Sequence, residues 1–409
     1  MNDGMRLPFE NERSWPVQPL WTVFAPIARL ADTSLPVLSV SIHSGISDKE
    51  LSNEERERNV WLSEDRSKYQ KVVPGDLVYN SMRAWQGGFG ACQTLGLVSP
   101  AYGVLSPIST INTKFYELLF RTKGYIALFD TFSPGIIDFR KRLSWDRCKH
   151  MKVPVPPLEE QNRIVKFACN VGDKVHLVTQ KLQQQLDLLN DYRQSLITRA
   201  VTKGLDPNVE MKDSGYDITN DIPVHWNTIK LQYICKITTG NQDTQDAVIG
   251  GKYPFYVRSP KIERTNLVTH SGTGILMAGD GVGAGKVFHY AEGQYGIHQR
   301  VYLLHEISDV IDPKFLFFYI KTIFSREVER GTAQSTVPSI RMPMLTRFSV
   351  CLPPKREQIE ISNYCKTIEE KIESVSETIK ITINALQEYR SSLISAAVTG
   401  QLAIEEDAE

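Results

Sequence analysis

Apolar residues recur at steps of three and four along two stretches of the chain. The first runs Ile164, Ala168, Val171, Val175, Val178, Leu182, Leu186, Leu189, Leu196, and the second Ile361, Cys365, Ile368, Ile372, Val375, Ile379, Ile383, Leu386, Leu393. Alternating fours and threes against a polar background predict amphipathic helices with a coiled-coil seam. Both stretches break the alternation at the same place, with two successive steps of four at Val178, Leu182, Leu186 and at Val375, Ile379, Ile383. Such a stutter is expected to unwind the supercoil locally. A Pro-Pro pair precedes each stretch, where proline costs no helical hydrogen bond. From about 159 to 203, one such helix would extend roughly 65–70 Å. A lobe of roughly 130 residues has a radius of gyration of about 14 Å and cannot cover that length. Each stripe therefore calls for another long helix, and the chain supplies one.

The two stretches are copies. Pro156-Pro157, Glu160-Gln161, Tyr192-Arg193, Ser195-Leu196-Ile197 and Ala200-Val201-Thr202 recur as Pro353-Pro354, Glu357-Gln358, Tyr389-Arg390, Ser392-Leu393-Ile394 and Ala397-Val398-Thr399, every pair at one constant offset. A looser correspondence precedes them. Trp15, Leu20 and Val23 resemble Trp226, Leu231 and Ile234; Pro36 to Val40 resembles Pro254 to Val257; Gly75-Asp76-Leu77-Val78 parallels Gly274-Ile275-Leu276-Met277. These stretches are short, β-branched or aromatic, and punctuated by Gly and Pro, so they predict strands, with helices at Lys114 to Asp130 and Pro313 to Arg330. An internal repeat of this kind sets the architecture. The order is a lobe over 1–153, a long helix within 154–203, an acidic linker over 204–225, a second lobe over 226–350, a second long helix within 351–400 and an acidic tail over 401–409.

Composition sharpens this picture in one respect. The 409 residues carry 47 basic and 47 acidic side chains, which alone argues against a general nucleic-acid binder. The distribution argues otherwise: Trp15 to Val153 and Trp226 to Val350 each hold a basic surplus of four, balanced by acid in the linker and tail. The six cysteines, Cys92, Cys148, Cys169, Cys235, Cys351 and Cys365, lie far apart and read as buried thiols rather than a disulfide framework or zinc site. The histidines show no metal-binding spacing. No run approaches the roughly 18 apolar residues of a membrane span, and the polar N-terminus lacks a signal core, so a cytoplasmic location is expected.

The run Val155 to Gln161, the element Tyr192 to Ile197, and the linker from Gly204-Leu205-Asp206-Pro207 through Met211 to Gly215 and on to Ile222-Pro223-Val224-His225-Trp226 together resemble the specificity subunit of type I restriction-modification systems. The resemblance covers essentially the whole chain. It implies an α+β architecture: two strand-rich, mixed α/β target recognition domains joined by two long antiparallel coiled-coil helices in a pseudo-two-fold repeat. It further implies that each domain reads one half of a split, asymmetric site in double-stranded DNA. The helices would set the spacer and dock methyltransferase subunits, two per chain, and a motor-nuclease subunit would join through the complex. No cofactor is expected on this chain; S-adenosylmethionine would sit on the methyltransferase partners. Duplex DNA has a dyad that matches two similar lobes on a two-fold frame.

Candidate DNA contacts follow from side-chain chemistry. Arg suits guanine, and Asn or Gln suits adenine, through paired hydrogen bonds. In the first lobe Asn80, Ser81, Arg83, Trp85 and Gln86 share a Gly-hinged loop after a strand, a run that also resembles one subtype of the family's recognition domain. Arg140, Lys141 and Arg142, with Ser133 nearby and Arg147 beyond, form a basic cluster suited to phosphate; Ser41, His43 and Ser44 are weaker candidates. In the second lobe the candidates are Arg258, Ser259, Lys261 and Arg264 after a strand, the triplet His298, Gln299 and Arg300, and Ser335, Thr336, Ser339 and Arg341 at the place of the basic cluster.

Enzyme motifs are weaker. Gly279 to Lys286 imitates a phosphate loop, but a Walker loop needs Gly where Asp280 stands and Ser or Thr where Val287 stands, and a dinucleotide site needs a helix where strands are predicted. A glycine-rich hairpin approaching DNA, with Lys286 on phosphate, fits better. Ser99-Pro100-Ala101-Tyr102 and the Pro-Pro pairs do not make a methyltransferase motif, and no nucleophile elbow is found. The expectation is a non-catalytic DNA-recognition subunit; the alternative is a coiled-coil scaffold that binds only proteins.

Overall fold

The computed structural model describes residues 7–52, 65–135, 141–332 and 339–405. Two compact units divide the chain, one built from residues 1–181 and 382–409, the other from 182–381. Each long helix contributes to both.

In the first unit a four-stranded antiparallel sheet has the order Phe24–Pro26, Tyr102–Pro107, Leu77–Asn80, Phe89–Ala91. Helices α1 (Thr113–Phe120) and α2 (Lys123–Thr131) pack on it through an aromatic core of Phe89, Phe115, Tyr116, Phe120, Tyr125 and Phe129. The single helix expected at Lys114 to Asp130 is thus two, divided at Arg121–Thr122. Helix α3 (Trp145–Cys148) leads to the strand Lys152–Pro154, which pairs with Val17–Pro19 and closes the lobe.

Helix α4 (Leu158–Lys203) spans 46 residues, matching the length its periodicity predicts. Its first turns lie against the C-terminal end of the last helix. Trp15 Nε1 donates to Glu160 at 3.0 Å, while the edge of the same indole would lie 3.1 Å from a Cβ placed on Gly400. About three turns further along α4, a Cβ on Gly172 would lie 3.7 Å from the Arg390 guanidinium. Moving up one helix means moving down the other, so the two run antiparallel in this unit.

The second unit repeats the plan. The linker is not open chain. The strands Met211–Asp213 and Asp221–Pro223 form a hairpin whose Ile218 and Ile222 enter the unit's core. Acidic composition concealed this, because only a few apolar positions in the linker face inward. The sheet order Lys236–Thr239, Val301–His305, Gly274–Ala278, Phe288–Ala291 reproduces that of the first unit strand for strand. A further sheet orders Glu263–Thr265, Tyr253–Tyr256, Gln294–Ile297 and His270–Ser271. Helix α5 (Pro313–Tyr319), a wider π-type segment at Ile320–Phe324, and α6 (Ser325–Thr332) form the helical run expected at Pro313 to Arg330. Helix α7 (Met342–Arg347) precedes the strand Ser349–Leu352, which pairs with Asn227–Lys230. Helix α8 (Lys355–Val398) spans 44 residues. Within this unit Ile361 and Cys365 of α8 share a core with Ile197, Ala200 and Val201 of α4, and a Cβ on Gly204 would meet Glu357 Oε1 at 2.9 Å. The pairing is antiparallel here too.

The repeat extends to the joints. Gln161 Nε2 donates to Pro156 O and its Oε1 accepts from Asn112 N, the residue that caps α1; Gln358 Nε2 donates to Pro353 O and its Oε1 accepts from Asp312 N, the residue that caps α5. Trp226 Nε1 donates to Glu357 as Trp15 does to Glu160. The seam departs from the sequence reading at one level. Ser376 is buried and Thr179 half-buried, whereas Val178 and Val375 are 43% and 48% exposed. The consecutive steps of four therefore fall at Val171, Val175, Thr179 and at Ile368, Ile372, Ser376, about two turns earlier than the apolar pattern indicates. Among the described residues no helix is long and apolar enough to cross a membrane.

Candidate nucleic-acid interface

The leading base-contact loop of the first lobe and the glycine-rich run of the second occupy the same place in the repeat. The loop after Leu77–Asn80 and the loop after Gly274–Ala278 each connect the third and fourth strands of the four-stranded sheet, and each contains a single 3-10 turn, at Ala84–Gln86 and Gly281–Gly283. The glycine-rich run is therefore a hairpin, as its failure as a phosphate loop implied. Glycine is required at Gly283, where a Cβ would lie 2.4 Å from Arg258 O, and at Gly285, where φ is +71° and a Cβ would press into Val328.

In the first unit the loop folds on itself. Asn80 Oδ1 accepts from Met82 N, Trp85 Nε1 donates to Met82 O, and Arg83 Nη1 donates to Gln86 Oε1 at 2.8 Å. Ser81 Oγ donates to Ala101 O, while Ser81 O accepts from Leu143 N, which brings the basic cluster alongside. Lys141 Nζ sits 4.6 Å above the Trp85 ring and donates to Asp130. Trp85 is half-buried and packs under a cation; Arg142 and Arg147 are exposed. Ser133 is not part of this surface. It is buried, with its hydroxyl donating to Phe129 O, and closes the end of α2. Ser41 accepts from His43 N and Ser44 N in a tight turn held by Arg121, whose guanidinium donates to Ile42 O and His43 O. Buried Glu117 accepts from Arg121, Lys114 and Ala91 N, tying that turn to the sheet.

In the second unit three loops converge on Asp280. Arg258 Nη1 donates to Asp280 Oδ1 at 2.7 Å and Arg300 Nη1 to Asp280 Oδ2. Burial alone would raise the Asp280 pKa, but these two guanidiniums outweigh it and hold the carboxyl below its ordinary value. Asp280 also bridges Ser339 through the backbone, and Ile340 N donates to Gly279 O, which places Ser339 to Arg341 beside the loop as Leu143 is placed beside Ser81. His298 is buried. Its Nδ1 accepts from Arg300 N at 3.0 Å, which leaves the proton on Nε2, 3.4 Å from Thr244 Oγ1; burial first, then Arg258, lowers its pKa. His298 therefore shapes the turn while Gln299 and Arg300 are exposed. Ser259 Oγ accepts from Lys261 N, and its carbonyl accepts from His289. Arg264 is committed to Gly251 O and Lys252 O on a neighbouring turn. Lys286 and Arg341 are exposed. Arg140, Ser335 and Thr336 lie outside the described residues. Sequence reasoning missed Asp280 as a site residue. Its signal was present as the acid standing where a Walker glycine belongs. Among the described residues no three His, Cys, Asp or Glu gather as a metal site.

The family model for the type I restriction modification DNA specificity domain matches residues 66–187 and 223–385, once for each repeat. The chain belongs to this family. It is 28% identical over 181 residues to the specificity subunit of the type I restriction enzyme EcoDI from Escherichia coli, a match spanning 44% of this chain and 39% of that one. It is 23% identical over 373 residues to the MjaVIII specificity subunit from Methanocaldococcus jannaschii, with 83% of each covered. In fold, a chain from a structure of type I R-M complex assembly and conformational transition aligns over 97% of this chain and 100% of its own, with TM-score 0.72 at 16% identity. The HsdS subunit from Thermoanaerobacter tengcongensis aligns over 97% and 99%, with TM-score 0.56 at 17% identity. The specificity subunit thus has two strand-rich recognition domains and two long helices that pair antiparallel within each unit, arranged as an internal repeat.

Proposed function

We propose that this specificity subunit reads a bipartite, asymmetric duplex target, one half with each hairpin loop and the cations beside it, and carries no catalytic centre of its own. The observation that carries this reading is the equivalence of the two loops. One fold position is lined by Arg83, Trp85, Gln86 and Lys141 in the first lobe and by Arg258, Asp280 and Arg300 in the second. Equivalent placement with different side chains is what a split, asymmetric site requires.

The chemistry belongs to partners. Methyltransferase subunits would supply S-adenosylmethionine and the transferred methyl group, and a motor-nuclease subunit would join through them. Two methyltransferases per chain are supported by Tyr192 and Tyr389, which are repeat equivalents on α4 and α8 and are each 59% exposed. A cytoplasmic location follows from a DNA substrate.

The test is co-expression with the cognate methyltransferase followed by methylation-sensitive sequencing of host DNA. The expected result is methylation at one split site with two different half-sites, and none from the chain alone. Duplex affinity of the complex should fall steeply with salt. A chain that binds partner proteins while the complex shows no sequence-dependent DNA affinity would be a scaffold, and methyl transfer by the isolated chain would make it an enzyme. Either result overturns the reading.

A further inference from the structure

We propose that Asp280 is a positioning residue that locks Arg258 and Arg300 into a fixed fork for reading guanine in the half-site met by the C-terminal lobe; this rests on the DNA reading above. The three groups come from separate loops. Arg258 follows the strand Tyr253–Tyr256, Asp280 follows Gly274–Ala278, and Arg300 lies between Gln294–Ile297 and Val301–His305. Each carboxylate oxygen takes one arginine, Oδ1 from Arg258 and Oδ2 from Arg300. The guanidiniums are exposed, whereas the carboxylate between them is only 23% exposed. The backbone on both sides is fixed as well, Asp280 by its bridge to Ser339 and Arg300 by donation of its N–H to buried His298.

A site that only neutralised phosphate would be weakened by this carboxylate. It cancels one of the two positive charges and faces the negative field of the duplex. Base reading gains from it. A guanidinium has five N–H donors in a rigid fork, so the bond through one nitrogen leaves donors for guanine O6 and N7. The rotamer freedom that a long side chain loses on reaching a base has already been removed. The carboxylate can also accept from the amino group of cytosine, so an Arg-Asp pair matches both edges of a G·C step. The equivalent loop in the N-terminal lobe holds its arginine with a neutral amide, Arg83 to Gln86. The lock is therefore a property of one half-site.

The experiment uses the full chain in complex with its methyltransferase, comparing wild type with Asp280→Asn, which keeps the shape and removes the charge, and Arg258→Lys, which keeps the charge and removes the fork. Methylation-sensitive sequencing gives discrimination at every target position, and duplex binding across a salt series gives the slope. Asp280→Asn is expected to lose roughly ten- to a hundred-fold in base discrimination at one or two positions of the C-terminal half-site. The N-terminal half-site should be unchanged. Affinity for unrelated duplex should rise and the salt slope steepen by about one charge. Arg258→Lys should relax the same positions without steepening the slope. Unchanged discrimination in both variants overturns the proposal, as does an equal loss at both half-sites together with a lowered melting temperature, which would mark Asp280 as structural only. A wild-type complex with no sequence preference overturns the DNA reading itself, and the lock falls with it.

Discussion

Burial decides how individual side chains behave, and spacing alone reported it unevenly. The cysteines read as buried thiols, and five of them are. Desolvation pushes Cys92 to about 11 and Cys148, Cys235 and Cys365 to about 12, and raises Cys351 as well. Cys169 is the exception, exposed on α4. Because the thiolate is the nucleophile, the folded chain should show one fast thiol toward Ellman's reagent near neutral pH and six after denaturation. Two or more fast thiols in the folded state would contradict the buried assignments. Asp280 gives a second residue-scale test. Its folded pKa lies below the ordinary 3.8 despite the opposing cost of desolvation. A depressed carboxyl contributes stability that is fully present above the unfolded value and fades as pH falls through the folded one. The NMR titration of its carboxyl carbon should thus have a midpoint below 3.8, and a midpoint at or above it would show that the arginines are not engaged. The candidate site was legible where chemistry is local, in the loop from Asn80 to Gln86 and at Arg258 and Arg300. It was illegible at Ser133 and His298, polar residues whose partners are backbone groups inside the fold.

At the scale of elements, the joints between helix and lobe are polar devices used twice. Gln161 and Gln358 are almost fully buried, and each bonds a Pro-Pro carbonyl on one side and a helix-capping residue on the other. Removing either amide strands buried donors and acceptors, at a cost of about 1–3 kcal/mol. Gln161→Ala and Gln358→Ala should each lower the denaturation midpoint by a similar amount, since the two joints match bond for bond. A neutral effect for either would break that equivalence. The long helices were readable because a sustained period over more than forty residues has no competing explanation. The exact seam was not, since the pattern counts hydrophobic residues and the structure turns half-buried Thr179 and buried Ser376 inward in place of Val178 and Val375. Hydroxyls can enter a seam because they bond their own helix carbonyls, as Thr179 does to His176 O and Thr202 to Thr198 O. The linker hairpin was hidden for the opposite reason: two short strands and two buried isoleucines are too little signal against five acids.

For the whole molecule, the repeat makes length a functional variable. Each helix supplies turns to both units, so neither lobe is attached to a helix of its own. If α4 and α8 fix the separation of the two half-sites, adding one heptad to both, after residue 180 and after residue 377, keeps each seam on its original face. It also lengthens both helices by about 10 Å. Duplex DNA advances about 3.4 Å per base pair, so that increment corresponds to at most about three unread base pairs. The added base pairs also rotate the far half-site by about a third of a turn, which opposes full use of the increment and should slow methylation. The expected outcome is a target with unchanged bases in both halves, a longer gap and a lower rate, measured by sequencing methylated DNA from cells carrying the variant with its methyltransferase. Extending α4 alone should mismatch the seam and abolish methylation instead. If the paired insertion leaves the gap as it was, the helices do not set it; if it alters the bases read, the recognition loops are not independent of the helices as the repeat requires.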